Sequence, residues 1–461
     1  MKCYNYNKEI YGVVCSHMDN ISVKTDNGIK YTYEEFNDLS SRFASCIDER
    51  CLVFLQCRNR IESLSTYVGM LQKRIVPLMF GTSDVSMIES LANEYKPMYI
   101  CLYKDCNVCK GYYQVDTFYD LIIYKRAEQV HYPIHNDLAL LLPTSGTTGS
   151  RKYVRLSYEN LKANAESIIE YLNITTDDVT ITSMPMSYTY GLSLINTYLL
   201  SGATLLLTEK NIITKKFWDF FEANGGTSFS GVPYAYEVLS KTGFFNREIR
   251  TLKTLTQAGG KLREDLQDRY GKYASERNID FYIMYGQTEA TARMSYLPSE
   301  KVLEKKGSVG IPVPGGKITI ENECGTECKP YEEGEIIYTG ANVSMGYAEG
   351  YRELVLGDMN KGVLHTGDIG YKDSDGYLYI TGRKNRFAKI NGYRINLYEL
   401  EKKLSDIYGC DFICNADENK IYIKGQIDRD ISDELTDKTG IDKRFVEYEY
   451  VKSIPRNENG K

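Results

Sequence analysis

The stretch TSGTTGSRK, from Thr144 to Lys152, combines glycines, hydroxyls and a lysine in a way that suits it to bind an anion. Glycine lets backbone N–H groups turn toward an anion without a Cβ in the way, and the hydroxyls and lysine add donors and a positive charge. The apolar run Leu138–Leu142 ahead of it predicts a buried strand. A phosphate-binding loop is therefore predicted, although the glycine spacing is not that of a Walker A loop. A polar turn between two strands is the alternative.

Two further segments place polar groups directly after predicted strands. Phe281–Met284 reads as a strand that runs into Tyr285–Glu289, and His365–Asp368 closes a glycine-rich region. Ligands in open α/β sheets bind beyond the carboxyl ends of the strands, where such residues would lie. A carboxylate such as Asp368 can accept two hydroxyl donors from a ribose, or it can simply cap a turn.

Composition excludes several classes of protein. Of 461 residues, 26% are charged and 42% are hydrophobic, which is typical of a globular enzyme. The formal net charge of −6, without a basic block, argues against nucleic acid or an anionic membrane as partner. We find no apolar run long enough to cross a bilayer and no signal-peptide pattern at the start, so a cytoplasmic location is predicted.

The twelve cysteines are interpreted as free thiols. One alternative is a metal or iron–sulfur site at Cys101, Cys106 and Cys109, whose spacing is C-x4-C-x2-C.

Alternating strand and helix patterns predict an α/β fold with layered, mostly parallel sheets. Helices are expected after the capping residues Thr32 and Ser157, and residues 181–191 are interpreted as a strand followed by an aromatic turn. Residues 308–368 predict a compact β subdomain. The basic segment 382–386 is the predicted boundary between a large N-terminal domain, 1–382, and a small α+β C-terminal domain, 383–461.

Five stretches occur in the order that is found in the adenylate-forming superfamily, which includes acyl-CoA synthetases, peptide-synthetase adenylation domains and luciferases. They are TSGTTGSRK (144–152), YGQTEA (285–290), HTGD (365–368), GRKNRFAKINGYRI (382–395) and PRNENGK (455–461). The chain closely resembles that family over most of its length.

The resemblance implies an ATP- and Mg²⁺-dependent ligase that activates a carboxylic acid as acyl-AMP and transfers it to a thiol. The nucleotide would be bound by Thr144, Ser145, Gly146, Thr147, Thr148, Gly149, Lys152, Gly259, Tyr285, Gly286, Thr288, Asp368 and Arg383. The catalytic residues would be Lys461, Lys389, Thr288 and Glu289, with Glu289 also holding the metal. The acid pocket would comprise Tyr188, Thr189, Tyr190, Gly191, Ala258 and Gly260.

The resemblance also implies that the small domain is mobile and rotates between two reactions, with its hinge at Asn385 and with Lys389 and Gly392 serving thioester formation. The thiol would belong to CoA or to the phosphopantetheine of a separate carrier protein. Amino-acid-activating members carry an aspartate at or near Thr189, and a threonine there disfavours amino acids. Amino-acid adenylation is nevertheless one alternative function. A nucleotide-binding homologue without catalysis, suggested by the uncharged Asn385, is another.

Overall fold

The computed structural model describes residues 18–47, 49–144, 152–384, 387–390, 393–417, 420–439 and 441–454. Contacts between Cα atoms divide this part of the chain into two compact units. The first unit contains the described parts of 18–317 and 339–364, and the second contains those of 318–338 and 365–454. The boundary predicted after residue 382 falls inside the second unit, and the division into 1–382 and 383–461 stays a prediction.

The fold is α/β, as expected from the sequence. The strands are β1 Ile21–Thr25, β2 Lys30–Thr32, β3 Leu52–Gln56, β4 Val76–Phe80, β5 Tyr99–Tyr103, β6 Tyr112–Phe118, β7 Leu121–Arg126, β8 Leu138–Pro143, β9 Tyr153–Ser157, β10 Val179–Ile181, β11 Thr204–Leu207, β12 Ser228–Gly231, β13 Thr254–Gln257, β14 Asp280–Tyr285, β15 Ser295–Leu297, β16 Ser308–Pro312, β17 Lys317–Glu321, β18 Gly334–Thr339, β19 Tyr347–Ala348, β20 Val363–Lys372, β21 Leu378–Arg383, β22 Phe387–Ile390, β23 Tyr393–Asn396, β24 Phe412–Ala416, β25 Ile421–Gly425 and β26 Val446–Tyr450. The α-helices are α1 Tyr33–Ala44, α2 Ile61–Gln72, α3 Val85–Tyr95, α4 Tyr158–Leu172, α5 Thr189–Leu200, α6 Lys215–Ala223, α7 Pro233–Lys241, α8 Glu264–Ser275, α9 Leu397–Tyr408 and α10 Ser432–Thr439.

The first unit contains two sheets. One has the strand order β16-β15-β14-β13-β12-β10-β11-β1-β2, and its strands from β14 to β1 run parallel. The other has the order β19-β9-β8-β4-β3-β5-β7-β6, with β8, β4, β3 and β5 parallel to one another. Strands such as β3 and β5 are buried along their whole length, as expected when both faces of a parallel sheet are covered.

The two predicted capping residues begin helices as expected. The Thr32 hydroxyl accepts a hydrogen bond from the Glu35 N–H at the start of α1, and the Glu35 carboxylate accepts one from the Thr32 N–H. Ser157 and Asn160 form the equivalent reciprocal pair at the start of α4. Both pairs satisfy backbone donors that the first turn of a helix leaves open.

The interpretation of 181–191 as a strand and an aromatic turn was wrong at its end. Thr189, Tyr190 and Gly191 form the first turn of α5. Every residue of α5 is buried and none is charged, so the helix lacks the solvent-exposed charged face that marks an amphipathic helix in a sequence. Gly191 is required there because a Cβ would lie 2.3 Å from the Pro185 carbonyl oxygen.

The second unit contains the sheet β17-β18-β20-β21, the hairpin of β22 and β23, and the three-stranded sheet β24-β25-β26. The last of these sheets packs with α9 and α10 around its own core. That core includes Leu397, Leu404, Cys414, Ile423 and Leu435. The predicted small α+β unit near the end of the chain is therefore present. None of the helices in the described part of the chain has the length and apolar character needed to cross a membrane.

Candidate active site

Adjacent parallel strands bring three of the predicted segments to one edge of the first unit. Ala258, Gly259 and Gly260 follow β13, and Gly286–Glu289 follow its neighbour β14. A hydrogen bond of 2.8 Å joins the hydroxyls of Thr189 and Thr288, both of which are buried. This contact connects the start of α5 with the turn after β14. The carboxyl edge of the sheet is where ligands of open α/β folds bind.

The turn that follows β14 is tightly built. A Cβ on Gly286 would lie 1.5 Å from the carbonyl oxygen of Ala292, so only glycine fits there. Ala292 itself has φ +112°, a conformation that residues with a side chain rarely adopt. The Asn342 amide donates to the carbonyls of Ala290 and Arg293, each at 2.8 Å, which holds the end of the turn.

Tyr347 connects a cation with a carboxylate. The Lys152 Nζ lies 3.8 Å from the centroid of the Tyr347 ring, and the Tyr347 hydroxyl donates to Glu289 Oε1 at 2.8 Å. Burial and the neighbouring carboxylate of Glu289 raise the pKa of Tyr347, so its hydroxyl keeps its proton and remains a donor. The structure thus gathers the lysine of the predicted phosphate loop and the predicted metal-binding carboxylate around one aromatic ring.

The predicted acid-pocket residues Tyr188, Tyr190 and Ala258 share one apolar cluster. Its buried members are Met184, Tyr188, Tyr190, Leu194, Val232, Ala235, Ala258 and Met284. The Tyr190 hydroxyl is held 2.9 Å from the Thr256 hydroxyl. Burial raises the pKa values of Tyr188 and Tyr190, so both phenols stay neutral. Gly260 is exposed beside this cluster, and Gly259 has φ +88°, which favours glycine.

A charged side chain that the sequence analysis missed lies against this cluster. Arg293 is only 1% exposed, and its guanidinium carbon lies 4.0 Å from the centroid of the Tyr190 ring. Tyr347 was missed as well. Neither the tyrosine of GANVSMGY nor the arginine of TARMS belongs to a local pattern, because the residues that they contact lie far away in the chain.

In the second unit, Asp368 and Arg383 face each other across the antiparallel strands β20 and β21. The Arg383 Nε donates to Asp368 Oδ1 at 2.7 Å, and the Asp368 side chain is almost fully buried. The sequence predicted these two residues to act together, and the structure brings them into contact. The backbone of Lys389 lies on β22, opposite Arg394 on β23.

Several predicted site residues lie outside the described residues. They are Ser145, Gly146, Thr147, Thr148, Gly149, Asn385, Gly392 and Lys461. Thr144 and Lys152 are described and flank the predicted phosphate loop.

The alternative of a cysteine-ligated metal finds no support in the structure. No group of three or more His, Cys, Asp or Glu side chains that could hold a metal ion occurs among the described residues. Cys101, Cys106 and Cys109 are buried free thiols, and burial raises the pKa of each.

Comparison with known proteins identifies the class. Residues 13–348 match the family model of the AMP-binding enzymes, which is well over half of the chain. The chain therefore belongs to this family, a member of the adenylate-forming superfamily.

The individual relatives share only about a third of their residues with this chain over the matched segments. The chain is 30% identical to the oxalate–CoA ligase of Arabidopsis thaliana over 290 residues, which is 62% of this chain and 55% of that protein. It is 30% identical to a 2-succinylbenzoate–CoA ligase of Bacillus cereus over 301 residues, which is 62% of this chain and 60% of that protein. The matches thus span little more than half the length of these relatives.

The fold is similar to those of solved structures along almost the whole chain. O-succinylbenzoate coenzyme A synthetase (MenE) of Bacillus subtilis, in complex with AMP, superposes with a TM-score of 0.79 at 21% identity, covering 99% of this chain and 96% of that one. ATP-bound MatB of Rhodopseudomonas palustris superposes with a TM-score of 0.77 at 20% identity, covering 99% of this chain and 96% of that one.

Proposed function

We propose that this protein is an AMP-forming acid–thiol ligase. A carboxylate oxygen of the acid attacks the α-phosphorus of ATP and displaces pyrophosphate, which gives an acyl-AMP. A thiol then attacks the acyl carbon, and AMP leaves with its electron pair. The family and the names of the relatives, both CoA ligases, support this reaction class.

The observation that carries the proposal is the arrangement of Lys152, Tyr347 and Glu289. Adenylation requires two anions to approach each other, so the site must supply positive charge on the phosphates. The Tyr347 ring lies against the Lys152 ammonium at the end of the phosphate loop, and its hydroxyl orients Glu289. We assign Lys152 to the β- and γ-phosphates and Tyr285, which lies at the end of β14, to the adenine ring.

Glu289 fits the role of a magnesium ligand. A carboxylate offers about four lone pairs, and the Tyr347 hydroxyl occupies one of them, so oxygen remains for a hard cation. Magnesium, when bound, would neutralise charge on the phosphates. Solved MenE has been obtained in complex with ATP and magnesium ion. Thr288, held by Thr189, is assigned to the α-phosphate.

The second unit supplies further proposed roles. Asp368, oriented by Arg383, is assigned to the ribose hydroxyls. Lys461 is proposed as the adenylation lysine, and Lys389 and Gly392 as residues of the thioester step, beyond a hinge at Asn385. CoA is the preferred acceptor because the named relatives are CoA ligases, and a separate carrier protein is the alternative.

Acid-dependent exchange of labelled pyrophosphate into ATP tests the first half-reaction. A panel of fatty, aryl, hydroxy, dicarboxylic and amino acids is offered with Mg²⁺, and acids that support exchange are then offered with CoA or with a phosphopantetheinylated carrier protein. We expect exchange with one class of acid and acyl-CoA formation in the second assay.

Matched variants show whether exchange depends on the site. Glu289→Gln keeps the shape of the side chain and removes its charge, and exchange should fall by about 100-fold because metal-assisted charge stabilisation is lost. The same substitution at the exposed Glu300 should leave exchange unchanged. Absence of exchange with every acid, in protein that still binds ATP, would refute the proposed function.

A further inference from the structure

Within the described part of the chain, Arg293 is a buried cation without a countercharge. It is only 1% exposed, and its Nε and Nη2 atoms have no hydrogen-bond partner among the described residues. No carboxylate in that same part of the chain forms an ion pair with it. Removing an ion from water costs several kcal/mol unless it is paired, so an unpaired arginine in a protein interior needs an explanation.

The groups around the guanidinium are neutral. Its carbon lies over the Tyr190 ring. Burial raises the pKa values of Tyr171, Tyr188 and Tyr190, and the positive charge of Arg293 offsets this rise only in part. These phenols therefore keep their protons at neutral pH and supply no negative charge. A cation over an aromatic face gains only part of what it loses on leaving water.

The backbone holds Arg293 firmly in this position. Its carbonyl accepts from the Asn342 amide at 2.8 Å and from the Asn164 amide at 3.2 Å. It directly follows Ala292, whose φ of +112° is an unfavourable conformation. Unfavourable backbone conformations persist where the surrounding contacts enforce them, and they are frequent at ligand sites. From this backbone the side chain extends to Tyr190, a member of the apolar cluster assigned to the acid.

We propose that the acid substrate carries a second carboxylate, and that Arg293 binds it. This inference rests on the proposed function, since it concerns the acid that is adenylated. A planar guanidinium binds a carboxylate through two parallel N–H donors, which matches the Nε and Nη2 atoms that lack a partner among the described residues. The dicarboxylic acid would place one carboxylate near Thr288, where it reacts, and the other against Arg293.

The test uses pyrophosphate exchange by the whole protein with malonate, succinate, glutarate, adipate and phthalate. Each diacid is compared with its own monomethyl ester and with the monocarboxylic acid of equal length. We expect one diacid to exceed its ester by about 100-fold in kcat/KM, because a site built around a charged donor rejects an analogue that leaves the donor unpaired. This comparison requires no variant.

The variants Arg293→Met and Arg293→Lys then show whether the preference for a diacid depends on Arg293. We expect Arg293→Met to lose about 100-fold with the diacid and to accept the monoester better than wild type does, and Arg293→Lys to recover part of the diacid activity. Binding without turnover gives a second readout: adding the preferred diacid to AMP-saturated protein should raise the Tm of wild type further and leave that of Arg293→Met at the value reached with AMP alone. Arg269→Met, at an exposed arginine of α8, should behave as wild type.

Three results would overturn the inference. Wild-type exchange that is fastest with a monocarboxylic acid shows that no second carboxylate is recognised, although the proposed ligase function stands. Equal losses of diacid and monoester exchange in Arg293→Met show that the arginine serves the reacting carboxylate or the turn. Absence of exchange with every acid refutes the proposed function and the inference with it.

Discussion

Two arginines of the first unit are buried to the same degree and differ in what surrounds them. Arg155, on β9, is 0% exposed, and all of its guanidinium nitrogens donate to backbone carbonyls. Nε donates to the Tyr347 carbonyl at 3.0 Å, Nη2 donates to the Met345 carbonyl at 2.7 Å, and Nη1 donates to the Leu356 carbonyl. Arg293 is 1% exposed and has two nitrogens without a partner among the described residues. The described residues therefore supply hydrogen-bond acceptors for every guanidinium nitrogen of Arg155, but not for every one of Arg293.

The difference separates a structural from a functional role. Arg155 crosslinks β9 to the segment 345–357 because carbonyl oxygens around it replace its hydration shell. Burial lowers its pKa, but a guanidinium remains charged at any working pH. Arg293 has lost its hydration without gaining a full set of acceptors from the described residues. A ligand that supplies two acceptors would complete its surroundings.

The largest effect is expected for the stability of Arg155→Met. The substitution leaves several buried carbonyls without a donor, which should lower the free energy of unfolding by about 4 kcal/mol. Arg293→Met removes a charge that has no counterion in the described structure, and its stability should stay within about 1 kcal/mol of wild type or rise. Urea midpoints of the two variants and wild type measure this. Equal destabilisation would show that the two arginines have the same role.

A smaller effect is expected for Tyr347, which contacts both Arg155 and the candidate active site. Its carbonyl binds Arg155 and its hydroxyl binds Glu289, so Tyr347→Phe removes only the contact to the site. We expect pyrophosphate exchange to fall by about 10-fold and the KM for Mg²⁺ to rise, since a hydrogen bond to a charged group is worth about 1.5–3 kcal/mol. The Tm should fall by no more than a few degrees. Tyr119→Phe, at an exposed tyrosine, is the control. An unaltered Mg²⁺ dependence would contradict the positioning role.

The smallest effect concerns the chemical labelling of a buried cysteine, whose side chain stays neutral and needs no counterion. Burial raises the pKa of Cys109 to about 11, so at about pH 8 almost no reactive thiolate is present. Cys324 is exposed. Iodoacetamide labelling followed by peptide mass spectrometry should therefore detect Cys324 first, with Cys109 protected until the pH rises toward its pKa or urea is added. Equal labelling of both under the starting conditions would show that Cys109 is accessible.

Local patterns predicted much of this molecule. The capping residues Thr32 and Ser157 begin α1 and α4 because a hydroxyl three residues ahead of a backbone N–H can reach it without help from the rest of the fold. The apolar run at 138–142 forms most of β8, and the residues 286–289 follow β14 at the carboxyl edge of a parallel sheet. These features depend on residues that lie close together in the chain, so they can be predicted from a single sequence.

Other features depend on contacts between distant residues. Helix α5 is buried on all sides and carries no charged residue, so its sequence lacks the exposed charged face that would mark it as a helix. Glu289 and Tyr347 are 58 residues apart in the chain, and the sequence near either residue does not predict their contact.

The sequence alone determined the family, through five short motifs, and it showed which strands are followed by polar residues and which reactive residue types these are. All of this can be seen in short stretches of the chain. Only the tertiary structure decided that Tyr347 joins Lys152 to Glu289, and that the described residues satisfy Arg155 but not Arg293. The physical reason is that the energy of a buried charge depends on the acceptors around it in space. Those acceptors are brought together by packing across the fold.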